Sequence, residues 1–178
     1  MTTDLAKYAE DNGIKFFLMN FTDLFGIQRS KLVPASAISG MQKSGAGFAG
    51  FAAWLDMTPA YPDMFAMPDG DAVIQLPWKP EVAWVASDLW MDGKPVEASP
   101  RVALKRQIEK AAKHGFYVKT GVECEYFLTT PDGSAISDPR DTQEKPCYDQ
   151  SALMRRYDIV SQICDAMIKL GWGAYQND

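Results

Sequence analysis

Two glutamates one residue apart, Glu123 and Glu125, carry the strongest chemical signal in the chain, within Gly121-Val122-Glu123-Cys124-Glu125-Tyr126-Phe127-Leu128. Residues 116–128 alternate as a β-strand does, with Val118, Val122, Cys124, Tyr126 and Leu128 on one face. Lys119, Gly121, Glu123, Glu125 and Phe127 share the other. An extended strand points both carboxylates the same way, roughly 6 to 7 Å apart. Buried without neutralisation they repel, and one must take up a proton. A divalent cation removes that conflict, and hard oxygen ligands suit Mg²⁺ or Mn²⁺. A solvated strand face satisfies the same spacing, so the pattern alone leaves both readings open. Gly121 on the acidic face adds weight to a site, because glycine in a strand often marks close approach by a ligand.

The segment resembles the first metal-binding strand of the glutamine synthetase family. Three more landmarks follow that family's order. Asp23-Leu24-Phe25-Gly26 with Arg29, Lys31 and Val33-Pro34 resembles the opening of its N-terminal domain. Met67-Pro68-Asp69 resembles the next landmark, and Ser99-Pro100-Arg101 the domain junction. Within the family the chain is most similar to the type III glutamate–ammonia ligases and γ-glutamylmethylamide synthetases. The resemblance implies an α+β architecture: a β-grasp N-terminal domain over 1–98, then the truncated start of the catalytic α/β domain over 99–178. It implies ATP-dependent joining of ammonia or a small amine to the γ-carboxylate of glutamate through a γ-glutamyl phosphate. It implies Glu125 on the ion nearer the glutamate and ammonia pockets and Glu123 on the ion nearer the phosphates. It also implies a homo-oligomeric ring with sites between subunits, and further ligands outside these 178 residues, so that these residues alone are expected not to turn over.

One position departs from the family. Counted back from Met67-Pro68-Asp69, Ala49 stands where the classical enzymes carry an aspartate that helps bind ammonium and take its proton. Alanine can do neither. Either the neighbourhood of Ala49 and Gly50 is rebuilt for a less polar amine such as methylamine, or another acid, Asp56 or Asp63, reaches the site from a shifted loop.

The elements that must hold these residues are legible in outline. Residues 3–11 read as a helix ended by Asn12-Gly13. Residues 14–21 and 27–33 read as a hairpin around Asp23–Gly26. Arg29 and Lys31 share a face of the return strand, as on a guarded edge. Residues 39–50, rich in Gly, Ser and Ala, read as a loop, and Met67-Pro68-Asp69-Gly70 as a turn. Strands are expected over 72–76 and 82–90, with Asp92-Gly93 turning a hairpin. Ser99 and Pro100 open a helix whose apolar face is Leu104, Ile108, Ala111 and Ala112, and Gly115 ends it beyond His114. His114, the only histidine, reads as a surface residue and not a ligand. Pro131-Asp132-Gly133 turns, residues 138–145 form a polar loop, and Asp149 caps a helix running to Leu170. Its stripe is Leu153, Tyr157, Val160, Cys164 and Met167, with Arg155 and Arg156 on the solvated side or facing an anionic substrate. Residues 173–178 read as the start of an element cut short.

Composition narrows the function classes. A chain of 178 residues with 47% hydrophobic and 23% charged residues is an ordinary folded composition. A net charge of −5 offers no basic patch for nucleic acid. The N-terminus is charged, which argues against a signal peptide, and no run approaches a membrane span. Three cysteines, Cys124, Cys147 and Cys164, lack metal-type spacing and read as reduced thiols of a cytoplasmic protein. A non-catalytic alternative, a stand-alone β-grasp interaction module with an inert glutamate pair, fits the same residues. A guanidino kinase, related in catalytic fold, would lack the N-terminal landmarks.

Overall fold

The computed structural model describes residues 2–177. They form two compact units that divide between Val118 and Lys119.

The first unit begins with helix α1, Leu5–Asn12. Asp4 starts it by accepting the backbone N–H groups of Ala6 and Lys7, and Gly13 ends it at φ +66°. Strands β1 (Phe16–Thr22) and β2 (Gln28–Pro34) form the expected antiparallel hairpin. Strands β3 (Ala46–Phe48), β4 (Met64–Leu76), β5 (Lys79–Met91) and β6 (Lys94–Pro95) complete a six-stranded sheet. The order is β2-β1-β5-β4-β3, with β6 on the end of β5. β1 and β5 run parallel at its centre and the other neighbours are antiparallel. Central placement explains the apolar run in β1: Phe17 and Met19 are fully buried against Leu5, Ala9 and Ile38 from the helical layer. A second cluster gathers Phe21, Phe48, Ala53, Leu55, Met64, Ala66 and Leu89, with Phe21 and Phe48 stacked at 4.2 Å between ring centroids.

Three expectations for this unit need correction. Residues 39–50 are not loop: helix α2 spans Ile38–Ser44 and β3 follows. Few apolar residues sufficed, because Ile38 is fully buried and Gln42 ties the helix to the start of α1. The Gln42 amide donates to Thr3 O and accepts from Leu5 N–H. Met67–Gly70 is not a chain-reversing turn but an irregularity inside β4, where the register against β5 shifts between Pro68 and Val73. Helix α3 (Pro100–Lys113) forms as expected, yet its buried residue is Val102, while Leu104 and Ile108 are exposed. Ser99 stands at its N-cap, but the hydroxyl donates backwards to Val96 O. His114 is exposed at its end, and Gly115 follows at φ +79°.

In the second unit the turn at Pro131–Gly133 is present, flanked by a Thr129–Ile136 bridge. The predicted helix to Leu170 is two, α4 (Gln150–Arg155) and α5 (Tyr157–Lys169), broken at Arg156, and Asp149 caps the first through Ser151 N–H. Leu153, Val160, Cys164 and Met167 are half-buried, and Tyr157 is exposed. Residues 173–177 have no regular structure, and residue 178 lies outside the described residues. All three cysteines are free.

Candidate functional site

Residues 116–128 carry no regular structure and pair with no strand among the described residues, which corrects the strand expectation. Alternation is a property of one segment, whereas a strand needs a second segment to take its N–H and C=O groups. Glu123 and Glu125 are both exposed, and neither meets a cation in an ion pair among the described residues. Their chemistry fits a hard divalent ion, which takes oxygen ligands. Their number does not complete one: no group of three or more Asp, Glu, His or Cys able to hold a metal occurs among the described residues.

What the second unit does build lies just after that pair. Ser137 N–H donates to Leu128 O at 2.8 Å, closing the hairpin that follows the acidic segment. The next residue, Asp138, is buried at 3% exposure. Its carboxylate accepts from Arg140 Nε at 2.8 Å, Arg140 Nη2 at 2.7 Å and Arg155 Nε at 3.0 Å, with Arg156 Nη2 at 3.9 Å. Arg140 holds this carboxyl far below the usual carboxylate range. Arg155 also pairs with Asp141. Both Arg155 and Arg156 thus turn towards Asp138, which corrects their placement on the solvated side. Asp132 in the hairpin turn is lowered to about 2 by the Thr130 hydroxyl and by Ser134.

In the first unit two landmarks prove to be polar fastenings. Asp23 has no exposed side-chain surface and accepts from the N–H groups of Phe25 and Ile27 and from Arg29 Nε, each at 2.9 Å. Arg29 is therefore a turn-locking residue as well as an edge cation. Asp69 pairs with Arg101 at 2.7 Å, and Arg101 also grips Asp88, so two landmarks 32 residues apart meet. Lys105 lies 2.7 Å from Asp88. The amine-site candidates lie in one stretch. Ala49 is exposed at the head of a short 3-10 turn, Gly50–Ala53. Gly50 is buried where an added Cβ would meet the Met57 and Met64 sulfurs at 2.7 and 2.9 Å. Asp56 and Asp63 are exposed on the loop leading to β4.

Comparison with known proteins bears on both units. The profile described as glutamine synthetase, catalytic domain, matches residues 97–176. Glutamine synthetases of Rhizobium leguminosarum bv. phaseoli and Rhizobium meliloti are 65% and 64% identical over 178 residues, the whole chain and 41% of each relative. A solved GmaS/ADP complex superposes with a TM-score of 0.95 at 61% identity, over 99% of this chain and 41% of that one. The chain belongs to the glutamine synthetase family. A glutamate–methylamine ligase of Methyloversatilis universalis is 35% identical over 180 residues, 99% of this chain and 41% of the relative. The chain thus spans about two-fifths of the length of the relatives it matches.

Within this glutamine synthetase family chain, both Glu123 and Glu125 fall inside the matched catalytic region, and Arg101 lies near its start. Asp88 and Asp138 are the polar residues that pattern reading missed. For Asp138 a signal existed: an acid before Pro139-Arg140, with Arg155-Arg156 ahead on a helix, offers a carboxylate to several guanidinium groups at once.

Proposed function

We propose that the whole protein containing these residues is an ATP-dependent ligase that joins ammonia or a small amine to the γ-carboxylate of glutamate through a γ-glutamyl phosphate. The observation that carries the reading is the Glu123–Glu125 pair inside the catalytic-domain match, in a chain 65% identical to a protein named glutamine synthetase and 35% identical to one named glutamate–methylamine ligase. Glu123 and Glu125 supply two of the carboxylates that hold Mg²⁺ or Mn²⁺, with the remaining ligands on other residues of the protein. Bound there, such ions offset the charge on a transferring phosphoryl group.

The first 98 residues serve as a β-grasp domain, with the catalytic domain beginning at residue 99. The sheet order β2-β1-β5-β4, the parallel central pair and the helices on one face support that reading. On the amine side, we assign the acid that Ala49 cannot provide to Asp56 or Asp63, exposed on the loop that follows Gly50. The protein works as a cytoplasmic homo-oligomeric ring with sites shared between subunits.

The test is phosphate release from ATP by the full-length protein, with and without glutamate and amine. Glutamate-dependent release that rises with ammonia or methylamine is the expected result, and none is expected from residues 1–178 alone. A full-length protein that binds partners but releases no phosphate points instead to an interaction module.

A further inference from the structure

Among the described residues the acidic segment is tied only at its two ends, and on the near side Phe116 N–H donates to Ala111 O at 3.1 Å. From residue 117 to residue 127 no backbone or side-chain hydrogen bond is made among the described residues. The first tie after Glu125 is Leu128 O, which accepts Ser137 N–H at 2.8 Å, and the Thr129–Ile136 bridge lies directly inside it. Asp138 follows at once. Its carboxylate makes two contacts with Arg140 and one with Arg155, and its Oδ1 also accepts the Arg140 backbone N–H at 3.1 Å. Arg155 is the last residue of α4, so the clamp fastens the base of the hairpin to a helix 17 residues further along the chain. A buried carboxylate gripped by planar guanidinium groups has little freedom to shift, because each fork fixes direction as well as distance.

We infer that Asp138 is a positioning residue for the Glu123–Glu125 pair: clamped by Arg140 and Arg155, it fixes the base of the hairpin and so the direction in which the two carboxylates leave it. This rests on the proposed metal-binding role of the pair. It assigns to Asp138 no contact with metal, nucleotide or substrate. The alternative role for the clamp is to hold α4 in place, which affects stability and not the carboxylates.

The experiment uses the full-length protein and Mn²⁺ alone as probe, with binding followed by electron paramagnetic resonance in the absence of nucleotide. Thermal unfolding is measured in parallel. Asp138→Asn keeps the shape and removes the charge, and it is expected to weaken Mn²⁺ binding about tenfold, as loss of a ligand-orienting group does. Arg155→Lys keeps a charge but loses the fork, and a smaller weakening in the same direction is expected; it decides the matter if Asp138→Asn does not fold. Asp132→Asn, in the exposed turn of the same hairpin, is expected to leave Mn²⁺ binding unchanged. Lower thermal stability with wild-type Mn²⁺ affinity in the folded Asp138→Asn or Arg155→Lys protein overturns the inference. Glu125→Gln separates the two claims: if it too leaves Mn²⁺ binding intact, the metal-binding reading fails first, and the role of Asp138 fails with it.

Discussion

Arg101 Nη2 lies 2.7 Å from the Asp69 carboxylate, while its other terminal nitrogen grips Asp88. One guanidinium on the first turn of α3 thereby joins the irregular middle of β4 to the neighbouring strand β5. Val102 is the buried residue of the helix, Leu104 and Ile108 are exposed, and Lys105 adds a second cation beside Asp88. The docking of α3 on the sheet is consequently electrostatic more than apolar. The Asp69 carboxyl reflects this balance: burial pushes it up, but the Arg101 hydrogen bond and charge outweigh burial and hold it below the usual range.

Replacing Arg101 with Met keeps the stem and removes the charge. Asp69 and Asp88, both largely buried, are then left with Lys105, which is 3.8 Å from the first and 2.7 Å from the second. We expect a loss of about 2 kcal/mol, typical of hydrogen bonds to charged groups, with partial recovery in Arg101→Lys. Denaturant unfolding of the full-length protein measures it. An unchanged midpoint shows that α3 is held by something other than this clamp.

The Asp23 turn gives a pH prediction. Burial raises its carboxyl, but the N–H groups of Ile27 and Phe25 and the Arg29 guanidinium prevail, so the folded-state value lies below the unfolded one. A lowered carboxyl contributes stability above the unfolded value, near 4, and that stability is lost as pH falls through the folded value. Wild type should lose stability on acidification below about pH 4, and Asp23→Asn should be less stable at neutral pH with a shallower acid dependence. Thermal melts between pH 7 and pH 3 compare the two. Parallel curves for the two proteins count against the turn as an acid-sensitive element.

Much of this was readable in the sequence, and the failures share a cause. Gly13, Asp149 and the Asp92-Gly93 turn act within a few residues of themselves, so local pattern located them. Helix α2 was hidden because its stability comes from Gln42 reaching Thr3 and Leu5, about 40 residues away. The Asp69–Arg101 and Asp138–Arg155 pairs were hidden for the same reason. Residues 116–128 fail in the opposite way: the alternation is clear, but it specifies a partner strand that the described residues do not supply. Glu123 and Glu125 stand out by type and spacing, but the described residues add no third group to the pair that would complete a metal site.

Glu123→Gln and Glu125→Gln test the proposed ligands directly. Each keeps the size of the side chain and removes its charge, on an exposed segment where folding should change little. Loss of a direct ligand should cost more than loss of an orienting group, so at least about a hundredfold weaker Mn²⁺ binding is expected from each. Titration of Mn²⁺ into the full-length variants reads this without turnover. Wild-type affinity in both assigns the pair to a solvated surface.

The amine preference tests the loop that follows Gly50. A site that has lost its acid and accepts only an apolar amine should use methylamine better than ammonia. A site whose acid comes from Asp56 or Asp63 should use ammonia at least as well, because a carboxylate can attract ammonium and take its proton. We expect the second outcome in kcat/KM comparisons with the full-length protein. We also expect Asp56→Asn or Asp63→Asn to lower ammonia use by about 10²-fold, the usual worth of a positioned proton acceptor. Ala49→Asp then adds a redundant carboxylate and should raise ammonia use little in the wild type, but restore part of it in the impaired variant. Better use of methylamine than ammonia, with both asparagine variants silent and Ala49→Asp shifting preference towards ammonia, assigns the change at Ala49 to a rebuilt, less polar amine site.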